Sequence, residues 1–157
     1  MRTVSITLEI NAPIENVWEK LSNINEYKYW NPFVTKITAP NSIPKEGTMM
    51  AFEVRFHDGK TANTKELVTK FSPPAQNNNL QAEWIYRFDG FMHNINMVRA
   101  KRTQRLIAVS NNTTKYFSIE IFTGWAAFLV PYKKVEKGFW LQGNALKKIC
   151  EKDLTMS

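Results

Sequence analysis

The sequence predicts an α+β fold in which a seven-stranded antiparallel sheet wraps around one long C-terminal helix. Three observations lead to this prediction. Apolar and polar residues alternate in several stretches, short polar turns separate those stretches, and a helical periodicity occupies the C-terminal part of the chain. Alternation is typical of half-buried strands, and short turns between successive strands favour an antiparallel meander. Two short helices are expected after the first strand.

The first strand and the two short helices are predicted from the opening thirty residues. Apolar and polar residues alternate over Thr3–Glu9, which indicates a half-buried strand. The stretch APIENVWEKL follows, with Pro13 suited to a first helical turn and apolar residues on one helical face. The next stretch, SNINEYKYW, is expected to form a second short helix. It should end before Pro32, because proline disfavours the helical conformation in the residue before it.

Six further strands are predicted in series. They cover Phe33–Ala39, Thr48–Phe56, Ala62–Phe71, Leu80–Phe88, a strand ending at Val109, and Thr114–Thr123. The Asp-Gly pair in HDGK is typical of tight hairpins, and SPPAQNNN is a loop by composition. Alternate turns of a meander lie at the same end of the sheet. The two histidines of the chain, His57 and His93, are therefore expected on neighbouring loops at one end.

The last element is predicted as a helix from about Val130 to Lys152, roughly 33 Å long at the usual rise per residue. One of its faces is apolar, and lysines lie around the opposite side. Gln142 and Gly143 interrupt the apolar face, which indicates either a gap between helix and sheet or close packing there. With no linker or repeat in the sequence, residues 1–157 are expected to form a single domain.

Composition and charge narrow the classes of function. The formal net charge is +7, but the charges are spread out with no arginine-rich run, so we expect an ordinary solvated surface and no nucleic-acid partner. No apolar run approaches the ~20 residues that a membrane span needs. The only cysteine, Cys150, excludes an intramolecular disulfide. Because no signal-peptide pattern is present either, we expect a cytoplasmic protein.

Residues suited to catalysis are few. His57 adjoins Asp58, but the sequence HDG is more typical of a hairpin turn than of an acid–base pair. Ser-His-Asp sets, phosphate-binding glycine loops and metal-ligand spacings are absent from the sequence, so we expect neither a metal nor a cofactor. Cys150 falls on the apolar helix face and is predicted to be a core thiol. Catalytic residues therefore stay unassigned.

A sheet curled around a helix often leaves a space between them, which large side chains from several strands would line. The candidates for ligand binding on this surface are Trp30, Met50, Phe52, Trp84, Tyr86, Tyr116 and Phe139. Together they suit an apolar pocket with a few polar groups, and plain core packing is the alternative for each. His57 and His93 are expected at the cavity mouth.

Glu120 is a further candidate, because it lies within a predicted strand. It alternates in phase with Tyr116, Ser118 and Phe122, but the opposite face of the strand is also apolar, so periodicity leaves its direction open. A buried carboxylate needs partners or stays protonated. Arg99 and Arg102 could supply a partner, and the alternative is a cross-strand pair on the surface.

The stretch INAPIENVWEKLSNINEYKYWNPFV resembles the opening of the START-like superfamily of polyketide cyclases, dehydrases and lipid-transport proteins. Later similarities are EGT before an alternating strand, the pair Leu80 and Trp84, and EIFTGW before the last helix. The resemblance implies a helix-grip fold whose cavity, between sheet and long helix, binds lipids, hormones, polyketides or quinones. The superfamily's E-x-F-x-G pattern implies that Glu120 and Phe122 face this cavity.

Two functions follow as expectations. The first is binding of a small, largely hydrophobic molecule, such as a lipid, polyketide or quinone, by a carrier or sensor without enzymatic activity. The second is a polyketide cyclase or dehydratase activity in the same cavity, with Glu120 or a loop histidine as acid or base. Aromatic cyclases of the superfamily use a cavity arginine and tyrosines, and that set does not match here residue by residue. A third hypothesis is a protein-interaction surface on the basic helix face or at Trp140 and Leu141.

Overall fold

Seven strands form one antiparallel sheet in which the first two strands lie at opposite edges. The structure is a computed structural model that describes residues 1–74 and 80–156. The strand order is β1-β7-β6-β5-β4-β3-β2. The strands are β1 Arg2–Ile10, β2 Val34–Thr38, β3 Met49–Arg55, β4 Thr61–Ser72, β5 Gln81–Asp89, β6 Arg99–Ser110 and β7 Thr113–Thr123. The predicted seven-stranded antiparallel sheet is confirmed, and each predicted strand end differs from the observed one by at most one residue.

Two short helical segments connect β1 to β2, as predicted. Helix α1 covers Ile14–Ser22, and a 3₁₀ turn at Ile24–Glu26 leads into α2, Tyr27–Trp30. Helix α2 ends where Asn31 becomes extended before Pro32. The Asn31 side chain then accepts hydrogen bonds from the backbone N–H groups of the next two non-proline residues, at 3.0 and 2.9 Å. This contact fixes the direction in which the chain enters β2.

The remaining helical segments lie on either side of the β6–β7 hairpin. A four-residue helix, α3 Phe91–Asn94, occupies a segment that was predicted as a turn. A 3₁₀ turn at Ala127–Leu129 precedes the long helix α4, Tyr132–Thr155, which begins directly after Pro131. Within the described residues, no helix is both long enough and apolar enough to cross a membrane.

Two glycines bring α4 close to its neighbours. A Cβ atom added at Gly143 would lie 2.6 Å from Leu8 Cδ1 and 2.9 Å from Ile6 Cδ1. A Cβ atom at Gly138 would lie 2.3 Å from the Phe33 ring. All three distances are too short for a real Cβ contact, so the helix can reach β1 and Phe33 only because the two glycines lack side chains. Gly143 thus reflects close packing and not a gap.

The connections of the sheet divide between its two ends. Residues 56–60, 90–98 and 124–131 lie at one end, called here the loop end, together with the start of α4. The β6–β7 turn lies at the opposite end. Residues 75–79 of the predicted loop SPPAQNNN fall outside the described residues. His57 and His93 both belong to loop-end segments, as the meander predicted.

Candidate functional site

A cavity of about 130 Å³ lies between the sheet and α4, towards the loop end. Most of its wall is apolar and aromatic. The residues that form this part of the wall include Phe33, Phe52, Phe56, Phe122, Val135 and Phe139. They come from the entry to β2, from β3 and β7, and from the first two turns of α4. A site built this way needs the whole sheet to be folded around the helix.

Five polar residues complete the wall of the cavity: Thr64 and four larger side chains. We call Glu66, Tyr86, Arg102 and Glu120 the polar wall. Three of them form one row across neighbouring strands, because Arg102 is registered with Tyr86 on one side and with Glu120 on the other. Directly opposite residues in an antiparallel pair have Cβ atoms about 5 Å apart. Alternation therefore places a cation, a phenol and a carboxyl group side by side.

Arg102 is buried, yet it forms no salt bridge within the described part of the chain. Its guanidinium group donates hydrogen bonds to Ser118 Oγ, from Nε at 3.1 Å and from Nη2 at 3.0 Å. Nη2 also donates to Gln142 Oε1, at 3.1 Å. The guanidinium carbon lies 3.8 Å from the centre of the Phe139 ring, in cation–π geometry. The positive charge is thus held by neutral groups.

Behind Arg102, a second layer of hydrogen bonds is centred on Gln104. Its Oε1 atom accepts from Tyr116 OH at 2.7 Å and from Gln142 Nε2 at 3.2 Å. Its Nε2 atom donates to Tyr86 OH at 3.2 Å. All four side chains are buried, so the network is shielded from water. Gln142 interrupts the apolar face of α4 because it hydrogen-bonds to two buried groups on β6.

The two carboxyl groups of the polar wall have raised pKa values. Burial, together with the nearby charge of Glu120, raises the pKa of Glu66 to about 8, although the Thr64 hydrogen bond and the charge of Arg102 oppose the shift. Burial raises the pKa of Glu120 to about 7, against the opposing effect of Arg102. Groups with pKa values near neutrality can exist in either protonation state under ordinary conditions. Both carboxyls can therefore donate or accept a proton inside the cavity.

The predicted ligand-binding residues fall into two groups. Phe52, Tyr86, Glu120 and Phe139 line the cavity. The others lie outside its lining: Met50, Trp84 and Tyr116 are fully buried, and Trp30 is half-buried with its ring 4.9 Å from Tyr27. Trp84 lies one layer away from the cavity, with its ring 5.1 Å from that of Tyr86.

The two histidines also lie outside the cavity lining. His57 is exposed in the β3–β4 turn. His93 is half-buried in α3, and its Nε2 atom lies 3.0 Å from Nη1 of Arg87. Partial burial, together with the charges of Arg87 and Arg99, lowers the pKa of His93. Of the two arginines considered as partners of Glu120, Arg102 occupies the polar wall and Arg99 is exposed.

Glu66 is the functional candidate that the sequence pattern did not single out. The alternation pattern of its strand, β4, is weak because most residues of the strand are polar. A signal is nevertheless present: Glu66 alternates in phase with Val68, which is buried. A carboxylate in phase with buried residues indicates an inward-facing charge, and the same reasoning applies to Arg102, in phase with Ala100 and Leu106.

Other parts of the described chain are weaker candidates for a functional site. A groove of about 610 Å³ lies between the 3₁₀ turn at Ile24–Glu26 and β2, but exposed Asn25, Lys28 and Tyr29 are part of its wall. In the described residues, no group of three or more histidine, cysteine or acidic side chains could hold a metal ion. The cavity is therefore the best candidate for a functional site.

Solved structures share this fold along almost the whole chain. The aromatase/cyclase Zhui from Streptomyces sp. R1128 superposes with a TM-score of 0.76 and 18% identity, over 98% of this chain and 95% of its own. A START superfamily protein from Mycobacterium smegmatis gives 0.68 and 16%, over 96% and 97%. Norcoclaurine synthase from Thalictrum flavum, in complex with dopamine and hydroxybenzaldehyde, gives 0.64 and 12%, over 94% and 85%. At these identities the likeness establishes the helix-grip fold alone.

Sequence comparison identifies the family. No curated protein matches this chain significantly. The model of the family described as polyketide cyclase/dehydrase and lipid transport matches residues 1–83, which is more than half of the 157 residues. That region includes the stretch from Ile10 to Val34, on which the predicted resemblance rested. The chain belongs to the polyketide cyclase/dehydrase and lipid transport family.

Proposed function

We propose that this chain binds a small, largely apolar molecule that carries at least one polar group, in the cavity between the sheet and α4. The proposal rests on one observation: the cavity wall has a large apolar part and a smaller polar part. Apolar and aromatic side chains form most of it, and the polar wall supplies a guanidinium group, a phenol and two carboxyl groups. Pockets for small ligands commonly combine such an apolar lining with a few polar groups that orient the ligand.

The volume of the cavity limits the size of the ligand. Ligand pockets usually enclose about 300–1,000 Å³, and an apolar cavity of about 150 Å³ holds a benzene molecule. At about 130 Å³, this cavity suits one ring bearing a polar substituent. A longer lipid or polyketide would enter only if the side chains at the loop end moved apart.

Blocking the cavity tests the proposal. Ligand-observed NMR against a library of one-ring phenols, ketones and amines should find binders to the wild-type protein. Val135→Phe places a ring in the cavity and should remove the binding of those compounds. Val109→Phe makes the same substitution at an exposed site on β6 and should leave binding unchanged. If no compound binds, or if the hits bind Val135→Phe as well as wild type, the cavity is not a ligand site.

A cyclase-type activity is the second candidate, and the two carboxyls of the polar wall favour it. Their pKa values of about 8 and about 7 suit one group to donate a proton to a carbonyl oxygen while the other accepts a proton from carbon. Arg102 would stabilise negative charge that develops on the oxygen. The aromatase/cyclase Zhui shares the fold, which supports the candidate only by analogy.

Separating binding from turnover distinguishes the two candidates. Short poly-β-ketone analogues should bind to wild type and to Glu120→Gln, and only wild type should convert them. Glu53→Gln, at an exposed position on β3, is the matched control. If Glu120→Gln still converts the analogues, Glu120 is not the acid or base of the reaction. Analogues that bind and are recovered unchanged from wild type would support a carrier.

A further inference from the structure

The loop end of the molecule exposes an unusual number of large apolar side chains. Phe91 is 76% exposed, and Trp125 and Phe128 are each 65% exposed. Three more apolar residues on the same two segments are also exposed. Together they form what we call the apolar tip: Phe91, Met92, Ile95, Trp125, Phe128 and Leu129. Contiguous exposed apolar surface of this kind marks an interaction site more often than ordinary surface.

The two segments of the apolar tip are held together by their backbones. The N–H of Trp125 donates to the carbonyl of Asn96 at 3.2 Å, and the N–H of Ala126 donates to that of Met97 at 2.9 Å. Gly124 has φ +103°, and a Cβ atom there would lie 2.6 Å from the Met97 carbonyl oxygen. Only glycine permits this approach. The tip is therefore one surface built from two neighbouring segments.

Exposed basic residues lie at the same end of the molecule as the apolar tip. Exposed cations at the loop end of the strands and on the first turns of α4 include Arg2, Arg55, Lys60, Arg99, Lys133 and Lys137. Two carboxylates at this end are already paired: Asp58 with Lys134 at 2.6 Å, and Asp89 with Arg87 at 3.1 Å. Glu136 is also exposed here. Positive charge thus exceeds negative charge around the tip, in a chain with a net charge of +7.

We propose that the apolar tip docks on the surface of an anionic lipid bilayer. Tryptophan and phenylalanine side chains partition into the bilayer interface, and nearby lysines and arginines are attracted to anionic lipid headgroups. The tip combines both features. A second copy of the chain fits less well, because two such tips would bring like charges together.

Docking would place the loop end of the cavity next to the bilayer, where apolar molecules are stored. The proposal depends on surface residues alone, none of which lines the cavity. Membrane docking can therefore be tested, and rejected, independently of ligand binding in the cavity.

Vesicle flotation tests the docking surface. Wild-type protein should float with phosphatidylcholine vesicles that contain about one-third phosphatidylserine, and should bind at least about tenfold more weakly to phosphatidylcholine alone. Trp125→Ser with Phe128→Ser should weaken binding to the anionic vesicles by at least about tenfold. Lys133→Glu with Lys137→Glu should weaken it to a similar degree.

Matched substitutions elsewhere on α4 serve as controls. Trp140→Ser removes an exposed tryptophan away from the tip, and Lys148→Glu with Lys152→Glu makes the same charge change in the C-terminal half of the helix. Both controls should bind anionic vesicles like wild type. Brominated lipids should quench the fluorescence of wild type and Trp140→Phe more strongly than that of Trp125→Phe, because Trp125 would lie in the interface.

Three outcomes would overturn the proposal. The first is wild-type protein that fails to float with anionic vesicles. The second is binding that weakens equally in the tip variants and in the α4 controls. The third is a dimer or a protein complex that analytical ultracentrifugation detects for wild type and not for the tip variants, while those variants still bind vesicles like wild type.

Discussion

Arg102 on β6 and Gln142 on α4 are joined across the interior by a hydrogen bond of 3.1 Å, from Nη2 to Oε1. The contact links the sheet to the helix that it encloses. It also gives a buried cation a neutral partner, so that the charge is not cancelled by a carboxylate at hydrogen-bonding distance. An anionic or carbonyl group in the cavity would therefore meet a guanidinium group that retains its electrostatic effect.

Replacing Gln142 by leucine should destabilise the protein. Gln142→Leu keeps a similar volume but removes an acceptor from Arg102 and a donor to Gln104, so that each of these buried groups loses one hydrogen bond. We expect the free energy of unfolding to fall by about 2–3 kcal/mol, measured by urea denaturation. Gln81→Leu makes the same substitution at an exposed site and should change it little. Equal effects at both sites would show that the buried contacts contribute nothing specific.

Replacing Glu66 by glutamine should stabilise the protein in a pH-dependent way. The pKa of Glu66 is about 8 in the folded chain, above its ordinary value of 4.5, so the folded state binds the proton more tightly. Stability from this group is complete below about pH 4.5 and is lost as the pH rises through about 8. Glutamine resembles the protonated carboxyl. Glu66→Gln should match wild type near pH 5 and exceed it by a few kcal/mol near pH 8.

The control for this prediction is Glu53→Gln, on the exposed face of the neighbouring strand. Its difference from wild type should change less between pH 5 and pH 8. Urea denaturation of all three proteins at several pH values provides the comparison. A difference between Glu66→Gln and wild type that shrinks as the pH rises would show that the Glu66 carboxylate is stabilised in the folded state.

Alanine at Gly138 should destabilise the protein although alanine is the better helix former. The added Cβ atom would lie 2.3 Å from the Phe33 ring and would force that side chain, part of the cavity wall, to move. We expect a loss of about 1–3 kcal/mol, larger than the gain of about 1 kcal/mol in helix propensity. Asn144→Ala, at an exposed site on α4, should instead stabilise slightly. Thermal unfolding of both variants checks the prediction, which a more stable Gly138→Ala variant would contradict.

Cys150 should not react with thiol reagents while the protein is folded. The side chain is 2% exposed, and burial raises the pKa of its thiol to about 12. Because the thiolate is the reactive form, labelling by a disulfide reagent should follow global unfolding and accelerate with urea. Lys148→Cys, with its thiol at an exposed helix position, should add one rapidly labelled group. Rapid labelling of native Cys150 would show that the end of α4 opens locally.

The strands were predictable from the sequence because their alternation is nearly strict. In β3, Met50 and Phe52 are buried while Met49, Ala51 and Glu53 are exposed, as the period-two pattern indicates. The short helix α3 was not predicted, because four residues are too few to show a helical period. The residues that follow it, Asn96 and Met97, accept backbone hydrogen bonds from Trp125 and Ala126, which are distant in the sequence.

The candidate site was only partly predictable, for a physical reason. The period-two pattern of the strands indicated that Phe52 and Tyr86 face inward, and the helical period of the last element indicated the same for Phe139. Periodicity cannot distinguish a residue that lines the cavity from one packed a layer away, such as Tyr116 or Trp84. That difference depends on where α4 lies, which Gly138 and Gly143 determine through their contacts. Glu66 was missed because its strand carries few apolar residues.

The position of β1 in the sheet has a consequence for biosynthesis. Within the described chain β1 pairs only with β7, with Arg2 registered against Phe122. During synthesis β1 leaves the ribosome before the other six strands, and it cannot pair with β7 until more than a hundred further residues have followed. Contacts of such long sequence separation slow folding, and an unpaired strand invites association with other chains. We therefore expect the sheet to close only late in translation, once β7 has left the ribosome.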